Sequence, residues 1–224
     1  MKLSIDAYSC KGMRKENQDA YWASEIEINV KKEYILLICD GMGGSDNGLM
    51  ASTRAVKTIK NTVLRGLIDI KSIESACLKL HRQLISEGGK SGTTVTYLST
   101  DGKKYRLFHV GDSRCYKITS NGYKMISEDH TVAADARRGL YGAKSQQYLN
   151  YPSNVLSRCI GMGAEPKAFK QEGVFDCNGF LLCSDGFWHT LTDQDDLKDL
   201  ETAAETAIFR GENDNVTILK IKKS

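Results

Sequence analysis

Proline is nearly missing from this chain, with two among 224 residues, and no low-complexity tract, internal repeat or charged linker accompanies it. That scarcity argues against a multidomain string and for a single folded unit spanning residues 1–224. Charge of one sign is also lacking: 31 Lys and Arg against 28 Asp and Glu leave a net charge of +3. No basic run or Arg-rich helix stands out, so the sequence gives no ground for a nucleic-acid partner. No segment approaches the ~20 apolar residues of a membrane span. The opening MKLSIDAYSC holds no apolar stretch of signal-peptide length, so a soluble, cytoplasmic protein without a membrane partner is expected. The cysteines (Cys10, Cys39, Cys77, Cys115, Cys159, Cys177 and Cys183) are odd in number and form no CxxC pair. Disulfide frameworks and zinc sites are disfavoured, and buried thiols in a reducing compartment are expected instead.

Several phosphate-handling motifs are absent as well. The loop DGMGGSDNG could cradle a phosphate by its backbone N–H groups. However, a P-loop needs a lysine before its Ser or Thr, and none precedes Thr53-Arg54. The spacing also misses GxGxxG, no GxSxG elbow occurs, and no cysteine is followed six positions later by arginine. A side-chain nucleophile is therefore not indicated.

What is present is a series of β-branched and apolar runs: LSIDAYS, YILLIC, TTVTYLST, KYRLFHV, RCYKIT, GVFDC, FLLC and NVTILKI. Asp101-Gly102, Asn121-Gly122 and Asn178-Gly179 separate three pairs of them, and such dipeptides predict tight hairpins. Hairpins imply antiparallel sheets and disfavour a doubly wound parallel plan. Between the second and third runs, residues 48–66 and 72–86 carry apolar positions at helical spacing, with Gly66 and Gly88-Gly89 as stops. Residues 133–154 have charge, glycines and tyrosines but little periodicity, which predicts a surface flap.

Aspartate recurs at the ends of the β runs: Asp40 in DGMGG, Asp112 in GDSR, Asp185 in SDG, Asp214 in NDN, and Asp19 in RKENQD near the first strand. Asp-Gly and Asp-Asn also mark ordinary turns. Five such aspartates against apolar runs make the turn explanation weaker. Carboxylates gathered at strand ends need cations to stay ionised, and hard oxygen donors suit Mg2+ or Mn2+.

The ordered set RKENQDAYW, ICDGMGGSDNG, SGTTVTYL, FHVGDSRCY, SEDHT, FLLCSDGFW and ENDNVTILKI resembles the PPM family, the metal-dependent serine/threonine protein phosphatases of type 2C. The chain looks like a short bacterial-type member, and the resemblance runs from about Asp6 to Ile221. It implies an α+β fold, a four-layer αββα sandwich of two antiparallel β-sheets flanked by antiparallel helix pairs. It also implies hydrolysis of phosphoserine and phosphothreonine by a water bridging two Mn2+ or Mg2+ ions, without a phosphoenzyme. By the same resemblance, Asp40 bridges the ions and the Gly41 carbonyl is a further ligand. Asp185 and Asp214 hold one ion, Asp112 joins Asp185 at a looser third, and Asp19 belongs to the metal set. Arg14 clamps the substrate phosphate. Phosphorylated proteins are the implied substrates, a serine/threonine kinase the implied counterpart, and a monomer the expected state.

Three positions depart from the family pattern: Gln18 where glutamate is frequent, Met42 where many eukaryotic members have histidine, and Leu49 where bacterial relatives have an acid. They support an alternative, a catalytically weak phosphoprotein-binding module. A small-molecule phosphohydrolase on the same centre is a third reading. Other residues have plainer explanations. His109 reads as a packed core histidine, while His130 reads as a substrate contact or a solvated residue. His81 reads as solvated or at the core edge. Trp188 reads as packing, with His189 beside it at the pocket rim, and TDQDDLKDLE reads as a solvated helix start with Asp193 near its N-terminus.

Overall fold

The computed structural model describes residues 2–42 and 45–223; Gly43 and Gly44 of the glycine loop lie outside them. Its layers follow from how the apolar runs are buried. Strand β1 covers Leu3–Cys10, β2 Ala20–Ile28 and β3 Lys31–Cys39. In β3, successive side chains point to opposite faces, and both faces are covered. Ile35, Leu37 and Cys39 enter one apolar cluster while Tyr34, Leu36 and Ile38 enter another. Burial on both faces explains an uninterrupted apolar run where a half-exposed strand would alternate. Each fully buried Ile or Leu contributes on the order of 1.5–3 kcal/mol.

The short β4 (Gly41–Met42) leads into helices α1 (Ser45–Leu64) and α2 (Ile70–Ser86). Ala51, Ala55, Ile59 and Val63 of α1, with Ile73, Cys77, Leu80 and Leu84 of α2, bury a helical stripe against β3. Asp69 caps α2 by accepting from the Ser72 N–H at 3.0 Å. Gly66, at φ 84°, follows α1 as a stop. Next come β5 (Gly92–Thr93), β6 (Val95–Thr100), β7 (Lys104–Val110), β8 (Arg114–Thr119) and β9 (Gly122–Met125). The region read as a flap holds α3 (Val132–Arg137), a 3-10 turn at 142–144 and α4 (Ser145–Tyr148). Its first helix is anchored, with Ala133, Asp135 and Ala136 buried. The chain ends with β10 (Phe169–Val174), β11 (Gly179–Cys183), α5 (Asp185–Trp188), α6 (Leu200–Phe209) and β12 (Val216–Lys223).

Two five-stranded antiparallel sheets result, ordered β1-β12-β11-β8-β9 and β10-β7-β6-β3-β2. One cluster fills the space between them, α1 and α2 cover the second sheet, and α5 and α6 cover the first. This is the expected four-layer sandwich, and its first sheet carries the slighter helical cover.

The turns differ in detail from the sequence expectation. Between β8 and β9, Thr119 pairs with Gly122, so the two-residue turn is Ser120-Asn121 and Gly122 takes the positive φ of 108°. Between β6 and β7, Thr100 pairs with Tyr105, and Asp101 Oδ1 closes the loop by accepting from Lys103 N and Lys104 N at 2.8 Å each. Asn178-Gly179 makes no hairpin, because β10 lies in one sheet and β11 in the other. Gly179 is required there by close approach: a Cβ would stand 2.1 Å from the Ile221 carbonyl oxygen. A hairpin turn without glycine, Asn29-Val30, joins β2 and β3. Residues 192–199 form a loop; Asp199 caps α6, while Asp193 accepts from Tyr123 N at 3.2 Å.

Candidate active site

The strand ends place Asp40 after β3, Asp112 between β7 and β8, Asp185 at the start of α5 and Asp214 just before β12. All four line one cavity of about 890 Å³, with Arg14, Gln18, Gly41 and Met42. Asn154, Leu156, Ser157, Arg158, Cys159 and Met162 supply part of the remaining wall. Loops from both sheets therefore meet here, at one end of the sandwich.

Each loop is fixed by its own hydrogen bonds. Asp40 N donates to Thr94 Oγ1 at 2.9 Å, Thr94 N returns a bond to the Asp40 carbonyl at 2.8 Å, and Thr94 Oγ1 meets Ser113 Oγ at 2.8 Å. The Trp188 indole N–H donates to the Asp112 carbonyl at 2.8 Å, and the Arg114 guanidinium lies 3.3 Å over the same ring. Arg114 in turn forks onto Asp129. Asn215 ties the N-terminal loop to β12: it accepts from Gln18 N and donates to the Lys11 and Glu16 carbonyls. Gly41 and Gly48 permit close backbone approach. A Cβ on Gly41 would stand 2.2 Å from the Gly48 carbonyl oxygen, and one on Gly48 2.5 Å from Gln18 Oε1.

The electrostatics are those of crowded, desolvated carboxylates. Burial, reinforced by Asp19, Asp185, Asp112 and Asp214, pushes the Asp40 carboxyl well above its usual range. Burial and the nearby Asp185 do the same to Asp112. Asp185 is raised by burial and by Asp214, against which His189 and a hydrogen bond with Asp40 act. Asp19 does not line the cavity. It is 7% exposed, accepts from Thr217 Oγ1 at 2.6 Å through Oδ2, and leaves Oδ1 without a partner. Burial pushes it up to about 7.

Arg14, the expected phosphate clamp, sits at the rim and forks onto Asp214, Nε to Oδ1 at 3.0 Å and Nη2 to Oδ2 at 2.6 Å. No local pattern in the sequence announces this pairing of residues 200 positions apart. Among the described residues, no three Asp, Glu, His or Cys side chains close around a common point fit for a metal ion. The four aspartates share this cavity, and Asp214 is the one among them engaged by a cation, Arg14, among the described residues.

The histidines resolve differently from one another. His109 is fully buried, bonded to Thr96 Oγ1 at 2.9 Å and the Gly111 carbonyl at 3.0 Å, as expected of a packed histidine. His130 is also buried, its Nδ1 accepting from Gly111 N at 3.2 Å, so it is neither solvated nor on the cavity wall. His81 is 3% exposed and accepts from Gly161 N at 3.0 Å, tying α2 to the segment beside the cavity. His189 lies 3.3 Å from Glu212 Oε2.

Residues 3–137 match the family profile described as Protein phosphatase 2C. The chain belongs to this family. Similar curated proteins include the serine/threonine phosphatase stp of Listeria welshimeri, 26% identical over 88% of this chain and 87% of that one. A putative protein phosphatase of Mycoplasma genitalium is 27% identical over 92% and 89%. Among solved structures, the serine/threonine phosphatase of S. agalactiae superposes with a TM-score of 0.83 at 19% identity, over the full length of both chains. The catalytic domain of the phosphatase PstP in complex with two manganese ions gives 0.74 at 22% identity, covering 98% of this chain and 97% of that one. At these identities the structural likeness concerns the fold, which is the sandwich described above. No helix among the described residues is long and apolar enough to cross a membrane.

Proposed function

We propose that this protein hydrolyses phosphoserine and phosphothreonine in other proteins, using Mn2+ or Mg2+ held by the aspartates of the cavity. One observation carries the reading: Asp40, Asp112, Asp185 and Asp214 line a single cavity whose one ion-paired cation on that set is Arg14 among the described residues. Burial and mutual repulsion raise three of these carboxyls, and divalent cations offset both effects. The donors are all oxygens, as hard cations prefer, and the orphaned Asp19 Oδ1 is a further buried acceptor behind them.

On this reading Asp40 and the Gly41 carbonyl would hold two ions, Asp185 and Asp214 would complete one of them, and Asp112 with Asp185 would frame a looser third. Asp19 supports the set from behind the cavity wall. When bound, such ions supply Lewis-acid activation of water and neutralise phosphoryl charge. The chain's own residues do the positioning. Thr94 and Ser113 fix Asp40, and the close approach of Gly41 to Gly48 sets where its carbonyl points. Arg14 is more than half exposed, and a guanidinium fork that fits a carboxylate fits two phosphoryl oxygens equally. No histidine lines the cavity among the described residues, and Met42 has no proton to give. On this reading the proton for the leaving seryl or threonyl oxygen comes from water rather than from a histidine or Met42. The partners on this reading are phosphoproteins and the serine/threonine kinase that makes them, with the enzyme a cytoplasmic monomer. The Listeria welshimeri serine/threonine phosphatase, of which this chain covers 87%, supports it.

The test is hydrolysis of a phosphothreonine peptide and of p-nitrophenyl phosphate with and without Mn2+. Metal-dependent turnover of the peptide, with higher kcat/KM than the free ester, is the expected result. Metal-independent turnover, or none, overturns the reading. The Arg14–Asp214 fork favours one second reading, a phosphoprotein-binding module of little activity. Metal-dependent capture of the peptide without hydrolysis would establish it.

A further inference from the structure

On the outer face of the α1–α2 layer lies a second concavity, a groove of about 620 Å³ remote from the cavity described above. Thr58, Asn61 and Arg65 line one side, and Lys71, Ser75 and Lys79 the other. Among the described residues no carboxylate lines it. Of the two acidic residues nearest in sequence, Glu74 pairs with Lys170 at 2.8 Å, and Asp69 caps α2 through Ser72 at the groove's edge. Arg65, Lys71 and Lys79 are exposed and form no ion pair among the described residues. Residues 45–86, the two helices and their connection, carry seven basic residues against three acidic ones, in a chain whose net charge is only +3. The basic surplus of the molecule is thus concentrated on this layer, and part of it rims a concave surface.

We infer that this groove docks an extended acidic segment of a protein partner, through Arg65, Lys71 and Lys79. Complementary charge is the first argument: three unpaired cations surround polar hydroxyls and amides, which suit carboxylates and peptide groups together. Spacing is the second. Lys71, Ser75 and Lys79 recur every fourth residue and share one helix face. Lys71 and Lys79 lie about 12 Å apart along the axis at 1.5 Å per residue. An extended chain advances about 3.3 Å per residue, so carboxylates about four positions apart meet both lysines. A concave groove between two helices favours such a strand over a flat lipid surface. From Gly48, beside Gln18, to Asn61 is about 20 Å of helix, so docking acts at a distance from the reaction centre. Under the proposed function the natural occupant is the phosphoprotein substrate itself, and only that identity rests on the earlier reading.

The experiment measures binding without turnover. A fluorescein-labelled ten-residue peptide of alternating Ser and Glu, with no phosphoamino acid, is titrated with the full chain and followed by anisotropy. The Ser-Glu peptide is expected to bind at low salt, the Ser-Gln peptide not to bind, and 0.5 M NaCl to abolish the signal. Lys71→Glu with Lys79→Glu should weaken binding by about tenfold, since exposed pairs are individually weak and reversal adds repulsion. Lys57→Glu, on α1 but outside the groove, should change it less than about twofold. Thermal melts check that each variant folds, and Arg65→Glu alone serves as the independent second variant. Absent binding, or binding indifferent to these substitutions, overturns the inference. So does binding of an RNA oligonucleotide or a phosphatidylserine vesicle through the same lysines while the acidic peptide is ignored. Because the probe holds no phosphate, failure here leaves the phosphatase reading intact, and failure of hydrolysis leaves the groove intact.

Discussion

Val30→Gly should stabilise this protein. Val30 occupies the second position of the two-residue turn between β2 and β3, at φ 65°, with Asn29 at φ 50°. Both angles fit a type I′ hairpin turn, which matches the twist of the strands and prefers Asn-Gly. A β-branched residue in that region suffers about 1–2 kcal/mol of steric strain. Val30 is 90% exposed, so removing its side chain forfeits almost no packing. Glycine brings extra freedom to the unfolded chain, which offsets about 0.5–1 kcal/mol of the relief. The net gain is about 0.5–1 kcal/mol, and at ~2–4 °C per kcal/mol for a chain of this size the melting temperature should rise about 1–4 °C. Differential scanning calorimetry reads this directly. Asn29→Gly is the control, because asparagine tolerates the left-handed region and the gain there should be smaller. An unchanged or lower melting temperature for Val30→Gly, with native circular dichroism retained, would refute the assignment of strain.

Gly41→Ala should lower hydrolysis of p-nitrophenyl phosphate at least about tenfold while leaving the fold cooperative, because its Cβ would meet backbone at 2.2 Å and push the Asp40 loop from Gly48; activity assays with a parallel melt check it. Arg14→Ala should reduce kcat/KM on a phosphothreonine peptide about a hundredfold, the scale of losing a bidentate charged contact. Burial holds His109 down to about 4, below its ordinary 6.5. The stability this neutral form contributes is present above pH 6.5 and is lost as pH falls through about 4, on the order of 3 kcal/mol in all. Asp19 titrates in the opposite sense, its raised value strengthening the fold as pH falls below about 7. The His109→Gln difference in urea midpoint between pH 7 and pH 4 therefore isolates the histidine, and equal slopes in both proteins would contradict its assignment.

The layers were legible because their strands are buried on both faces. YILLIC, FLLC and NVTILKI read as unbroken apolar runs for that reason, and α1 and α2 showed their stripes and their glycine stops. Strand β2 was missed: AYWASEIEI is an edge strand with exposed polar positions, and its turn lacks glycine. Asn178-Gly179 was misread as a hairpin because close approach to the Ile221 carbonyl and a turn demand the same residue type. The four cavity aspartates were legible from their strand-end positions. Contacts between distant segments were not: neither Arg14 on Asp214, 200 positions apart, nor His81 on Gly161 leaves a local pattern. Asp193 looked like a helix cap for want of any local sign that Tyr123 would claim it.

Titration calorimetry with Mn2+ shows whether the cavity aspartates hold divalent cations. The wild-type chain should bind two ions, Asp40→Asn should lose both, and Asp185→Asn and Asp214→Asn should each lose at least one. No heat of binding by the folded wild type, or binding unchanged by Asp40→Asn, would show that these aspartates are not a metal site.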